Sequence, residues 1–173
     1  MSALDLDALL DLPAVREQAV AALLVRRLPG ELRETPPVIR LDPTVGVVGD
    51  RWALSDAPNP DAMVTLMRWD VAVFVAERAG VPVAILGDNV FASLDTSAEN
   101  LPPGTILRVG EARCEVTVKP HRGCHKFSAR VGADVLRFTV AHAARQLRGV
   151  HLRVLDGGEI GLGGDVRVVS RPR

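Results

Sequence analysis

Residues 105–118 read TILRVGEARCEVTV: two short runs of strand-forming residues, Thr105 to Val109 and Ala112 to Val118, joined by Gly110-Glu111. In the second run Cys114, Val116 and Val118 alternate with Arg113, Glu115 and Thr117, the period of two that buries one set and solvates the other. A tight two-residue turn between two such runs predicts an antiparallel hairpin, with Cys114 on its core face.

Short strands and turns continue in both directions. Downstream, Val150 to Leu155, the turn Asp156-Gly157-Gly158, then Ile160 and Val166 to Val169 read as strand, turn, strand. Upstream, Val38-Ile39-Arg40-Leu41 and Val64-Thr65-Leu66-Met67 are strands, and the glycines of VGVVGDRW (45–52) mark a strand or tight loop. Three stretches keep helical spacing. Trp69 to Arg78 is ended by Gly80, and Leu136, Val140, Ala143, Ala144 and Leu147 fit a helix that Gly149 stops. Asp11 and Pro13 precede Val15, Ala19, Leu23, Leu24 and Leu28 at three- and four-residue steps closed by Pro29-Gly30, which predicts an amphipathic N-terminal helix. Residues 1–37 are therefore expected as a helix and linker packed on a domain of residues 38–173, mainly β with a few helices and barrel-like. Gly161-Leu162-Gly163-Gly164-Asp165 precedes a strand and does not join a strand to a helix, so it reads as a tight turn or bulge and not as a phosphate loop.

The 173 residues suffice for one core. Hydrophobic residues make up 47% but aromatics only 3%, with no Tyr, so the core is aliphatic and no stacking platform for nucleobases is available. Lys plus Arg (21) balances Asp plus Glu (21), leaving no global field toward nucleic acid or anionic membrane; any electrostatic site must be local. Two cysteines are too few for a disulfide framework, and the acidic N-terminus MSALDLDALLDL has no positive region ahead of its apolar residues. Arg16, Arg26, Arg68, Asp70 and Glu77 interrupt the apolar stretches short of the ~20 residues of a membrane span. A cytoplasmic, reduced protein is expected, without nucleic-acid or membrane partners.

The chemistry concentrates in KPHRGCHKF (119–127), a stretch without period, read as loop from Lys119 to Arg130. It gathers both lysines, Arg122 and two of the four histidines around Cys124. Cationic neighbours stabilise a thiolate, the form that attacks, carries sulfur or ligates a soft metal. Gly123 leaves room for a ligand to approach the backbone. A solvated basic loop around a small buried thiol is the alternative these residues leave open. A zinc set of Cys114, His121, Cys124 and His125 lacks the paired Cys-x-x-Cys spacing and puts two adjacent residues on one ion. His142, in a predicted helix, and His151, in a predicted strand, read as structural.

Taken in order, VGVVGDRW, LGDNV, ENLPPGTILRVGEARCEV, PHRGCHKF and RGVHLRVLDGGEIGLGGDVRVV resemble a MOSC domain, from about Val38 to Val169. The resemblance implies a β-barrel-like fold related to the insert domain of pyruvate kinase. It also implies a cysteine, here Cys124, acting as persulfide sulfur carrier or molybdenum ligand toward molybdopterin or a related anionic sulfur-bearing molecule. His121, Arg122, Lys126 and Arg130 are expected to hold the thiolate and a phosphate, with Asp50-Arg51 and Asn89 further out. Such domains are similar to the C-terminal part of molybdenum-cofactor sulfurase and to the amidoxime-reducing component, so a sulfur donor or redox partner protein is expected. A reductase of N-oxygenated compounds and a small non-catalytic β-barrel binding module are the rival readings. No segment resembles a pyridoxal-phosphate domain, and neither Lys119 nor Lys126 stands in a Schiff-base setting, so pyridoxal phosphate is not expected.

Overall fold

The computed structural model describes residues 5–173. In chain order the strands and helices are β1 (Gln18–Leu24), β2 (Arg26–Arg27), β3 (Arg33–Glu34), β4 (Val38–Asp42), β5 (Gly46–Val47), β6 (Val64–Met67), α1 (Trp69–Ala79), β7 (Val90–Ala92), β8 (Ile106–Val109), β9 (Ala112–Val116), α2 (His125–Val131), α3 (Ala133–Ala141), β10 (Val150–Asp156), β11 (Gly158–Gly161) and β12 (Asp165–Ser170). Seven of them close a barrel in the order β1-β12-β8-β9-β10-β6-β7, with β7 pairing back onto β1. Only the β6–β7 pair is parallel. A small sheet β11-β4-β5 lies beside the barrel, and β2-β3 forms a two-residue ribbon.

The hairpin of β8 and β9 forms in the register its pattern demands, Leu107 opposite Cys114 and Val109 opposite Ala112, all four fully buried. Its turn glycine, Gly110, has φ +59, and a Cβ there would lie 2.4 Å from the Glu159 carbonyl oxygen, so only glycine lets β11 pass so close. Inside the barrel Ala21, Leu24, Val64, Leu66, Val90, Leu107, Cys114, Leu152 and Val166 pack together. A second core lies outside the β6–β7 wall, where Met67 and Phe91 meet Val71 and Val75 of α1, Phe127 and Val131 of α2, and Val135 of α3. Both faces of β6 and β7 are therefore buried, which explains why Val64 to Met67 shows no alternation of buried and exposed positions. Barrel, helices and parallel pair make a mainly β protein with three α-helices, as the sequence pattern predicts.

Two expectations need correction. Val15 to Leu28 is not an amphipathic helix; half of it is β1, a barrel strand, followed by β2. Its buried residues fall at Ala21 and Leu24 with Ala19 half-buried, because the register shifts between Ala21 and Leu23. That irregularity turns a two-residue step into a three-residue one and imitates helical spacing. The expected loop of residues 119–130 is loop only as far as Cys124; α2 begins at His125 and buries Phe127 and Val131, four residues apart, on the helical core. No described helix is long and apolar enough to cross a membrane.

Candidate functional site

The chain leaves β9 at Val116, passes Pro120 and enters α2 at Cys124, whose extended backbone (φ −106, ψ 179) makes it the residue before the first helical turn. Phe127 and Val131 anchor α2 inward, so Lys126 and Arg130, each one residue earlier, project together along a neighbouring face. The cleft beside Cys124 is lined by Arg51, Arg122, Lys126 and Arg130, with Arg27 and Arg148 deeper. Gly123 does not make room for a ligand as expected. A Cβ there would meet Leu136 Cδ1 at 2.5 Å and Phe127 Cδ1 at 2.8 Å, so it lets the loop press onto α2 and α3.

Around this cleft cations outnumber carboxylates. Asp50 holds Arg27 through two hydrogen bonds, Arg27 Nε to Oδ2 at 3.0 Å and Nη2 to Oδ1 at 2.9 Å. Asp88 holds Arg148. Glu31 alone receives Arg51 (3.1 Å), Lys126 (2.6 Å), Arg130 and, at 3.6 Å, Arg33. Arg122 has no ion-pair or hydrogen-bond partner among the described residues. Seven cations (Arg27, Arg33, Arg51, Arg122, Lys126, Arg130, Arg148) thus face three carboxylates (Glu31, Asp50, Asp88), a local surplus on a chain whose formal charge is zero.

The two cysteines divide sharply. Cys114 is sealed inside the barrel, and burial pushes its thiol up to about 12. Cys124 is exposed. Partial burial works against its ionisation, but the backbone N–H groups of Phe127 and Lys126 and the Arg148 guanidinium outweigh that and hold the thiol below its ordinary value. The lowering thus comes from amides and from an arginine 24 positions away in sequence, while Lys126 leans toward Glu31. With Cys114 enclosed, the zinc set does not assemble, and no group of three or more His, Cys, Asp or Glu among the described residues could hold a metal ion.

His121 belongs to the site, but not as a cation. Its side chain is 10% exposed and its Nδ1 lies 3.5 Å from Asp88 Oδ1. Its ring meets that of His151 at 4.3 Å between centroids. Burial, then repulsion from Arg148 and His151, drives His121 well below the usual histidine range, so it is a neutral ring whose Nδ1 and the facing Asp88 Oδ1 make no hydrogen bond. Asn89 is fully buried and does not face the cleft. Its amide oxygen accepts from Thr65 N–H and Oγ1, and its Nδ2 donates to the Val25 carbonyl and to Asp50, so it acts by fixing Asp50 behind Arg27. The expected Cys124, Arg122, Lys126, Arg130, His121 and Arg51 do line one cleft; Arg27 and Arg148, which line it too, and Glu31, Arg33, Asp88 and His151, which lie against its lining residues, were not expected. Arg26-Arg27 inside an apolar run and Arg148 just before a stopping glycine were the available signals.

A second cavity, between α3 and the loop before Cys124, shares the wall of His121, Arg122 and Arg148 and adds Val140, Leu147 and Gln146. Among described residues only Glu31 (φ +64) and Gln146 (φ +44) are non-glycine positions with positive φ. Gln146 lines the second cavity and Glu31 pairs with Arg51, Lys126 and Arg130 of the first, and backbone strain of this kind persists where the surroundings enforce it, often at functional sites.

A family model described as MOSC domain matches residues 46–167. Among solved structures, the chain is similar to the YuaD protein from Bacillus subtilis (TM-score 0.68, 16% identity, covering 92% of this chain and 100% of that one). It is also similar to YiiM from Escherichia coli (TM-score 0.63, 18% identity, 88% and 71%) and YiiM from Geobacillus stearothermophilus (TM-score 0.57, 18% identity, 91% and 75%). At these identities the likeness concerns the fold. No curated protein matches the chain in sequence.

The contrast between the cysteines predicts that limiting iodoacetamide at neutral pH labels Cys124 and leaves Cys114 untouched until the chain unfolds, with a rate profile for Cys124 that rises below the ~8.5 of a free thiol. Comparable labelling of the two sites in folded protein would end this assignment. The buried histidines make a second prediction. His151 lies at about 4, lowered first by burial and then by Lys119 and Arg148, whereas in the unfolded chain it titrates near 6.5. Between those values the unfolded chain binds more protons, so stability falls as pH drops through the window, by about 2 kcal/mol at pH 5 from His151 alone. Thermal melts should lose on the order of 5 °C from pH 7 to pH 5, and His151→Gln should flatten the slope. A variant as acid-sensitive as the parent would show that His151 is not the group responsible.

Proposed function

This chain belongs to the MOSC domain family, and from that premise we propose that it binds a molybdopterin-type cofactor or a related anionic, sulfur-bearing ligand with Cys124 as the reacting group. One observation carries the reading: the exposed thiol of Cys124, held below its ordinary value, opens onto a cleft lined by six arginine and lysine side chains and by no carboxylate. Arg122, Arg51, Lys126 and Arg130 are the residues that would hold the ligand's phosphate, the arginines through paired N–H donors. A single soft protein donor amid cations fits a metal already chelated by an anionic organic group, and not a metal needing three or four side chains. When bound, such a cofactor supplies two-electron redox chemistry at its metal.

What the chain's own residues do follows from their placement. As a sulfur carrier, the Cys124 thiolate attacks the terminal sulfur of a donor persulfide; the donor's S–S bond breaks, its electron pair leaves on the donor thiolate, and Cys124 keeps the sulfur as a persulfide. The cation surplus stabilises the anion before and after transfer. As a metal ligand, the same thiolate donates without a proton to lose. The His121 ring, beside the Asp88–Arg148 pair, stays neutral and so shapes the wall of the cleft without adding to its charge. The second cavity favours one rival reading over a bare binding module: a small N-oxygenated substrate has a mixed polar and apolar seat behind the His121–Arg122 wall.

Cys124→Ser separates chemistry from packing. An exposed side chain has little packing to lose, so the melting temperature should stay within about 1–2 °C, while bound molybdenum or persulfide sulfur, measured by elemental and mass analysis, should disappear. A large fall in melting temperature with unchanged ligand content would refute the reactive-cysteine reading.

A further inference from the structure

We infer that Glu31 is a tethered occupant of the anion subsite: its carboxylate fills the place of a dianionic, phosphate-like group, and binding that group requires the Leu28–Leu32 tip to withdraw. This rests on reading the cleft as an anion site and adds its regulation. The base of the tip is fixed. Arg26 Nη1 donates to Glu34 at 2.7 Å across the β2–β3 ribbon, and Arg27 is clamped by Asp50. The tip itself is lightly held. Its turn closes through Leu28 N–H donating to the Leu32 carbonyl, Pro29 and Gly30 (φ +74) form the bend, and Leu32 is 63% exposed, so its far side has no apolar anchor in the core. What holds Glu31 is charge: Arg51 from the turn after β5, and Lys126 and Arg130 from α2.

A permanent brace would satisfy its partners, and this one does not. The Arg33 side chain is only 6% exposed, yet its Nε and Nη2 have no hydrogen-bond partner, and the nearer Glu31 oxygen stands 3.6 Å away. Unpaired donors on a buried guanidinium are costly and await more oxygens than one carboxylate offers. Four cations around one negative charge likewise leave a surplus that a dianion with three free oxygens cancels better. Glu31 also holds a left-handed backbone conformation unusual for its residue type, which release of the tip relieves. A tethered competitor scales the apparent ligand affinity down to the fraction of time the site stands open.

The test uses inorganic phosphate as probe on the intact chain, by calorimetry, with hydrogen exchange read over residues 28–33. Glu31→Gln keeps the side chain's shape and should bind phosphate about tenfold tighter or more. Glu31→Gly, which removes both carboxylate and backbone strain, should show the same gain and serves if the first variant folds poorly. In the parent protein, phosphate should speed exchange at the tip while Cys124 becomes slower to alkylate. Equal or weaker phosphate binding by both variants, or slower exchange at the tip, would overturn the tethered-occupant role and leave the anion site standing. Absence of phosphate binding in parent and variants alike would take down the anion-site reading together with it.

Discussion

The guanidinium of Arg148, on a residue 7% exposed, lies 4.3 Å over the ring of Phe127, donates to the Leu86 carbonyl and is paired with the fully buried Asp88. A buried cation is tolerable only when paired and hydrogen-bonded, and removing one partner of such a pair typically costs about 3–5 kcal/mol. The pair therefore dictates geometry. Phe127 positions α2, and with it Cys124; Asp88 precedes Asn89, which ties β6 to Asp50; and the free oxygen of Asp88 faces His121. Because Arg148 stands just before β10 and Asp88 just before β7, the barrel end and the helical layer are locked together at the point where the thiol emerges.

That lock explains why two cysteines ten residues apart behave so differently. Cys114 faces the barrel interior, where nothing compensates a charge and burial suppresses ionisation. Cys124 stands beyond the barrel wall, beside the helix amides and Arg148, where the thiolate is the favoured partner. The fold uses the barrel as a rigid, water-excluding support and confines charge to one end. The two strained non-glycine residues, Glu31 and Gln146, sit at that same end, consistent with a region shaped for a ligand and not for stability alone.

Much of this was legible in the sequence, for identifiable reasons. The β8–β9 hairpin, β6 with α1, and the β10–β12 stretch show strand-forming runs or 3.6 spacing bounded by turns and glycine stops, and local pattern agreed with tertiary role. The β1 strand did not, because its bulge and alanine-rich composition imitate a helix and only the barrel partners β12 and β7 decide its state. For the cleft, clustering around Cys124 picked out four of its lining residues, Cys124, Arg122, Lys126 and Arg130. The contributors brought in by folding, Arg27, Glu31, Arg33, Asp88 and Arg148, lie 24 to 97 positions away, and only Arg27 in its apolar run and Arg148 before a stopping glycine carry any local signal. Reading His121 as a cation failed for a related reason: its charge state is set by burial against Arg148 and His151, which no neighbour in sequence reveals.

The central claim is that the cationic cleft and Cys124 together form one ligand site. Its most direct test is purification of the chain from cells that make the molybdenum cofactor, with metal analysis and native mass spectrometry. The account predicts a phosphate-bearing pterin or sulfur adduct retained near one per chain and lost when the cleft cations Arg51 and Arg130 are both replaced by Met. Protein recovered without any such ligand, or with a ligand whose retention ignores both the cations and Cys124, would contradict it.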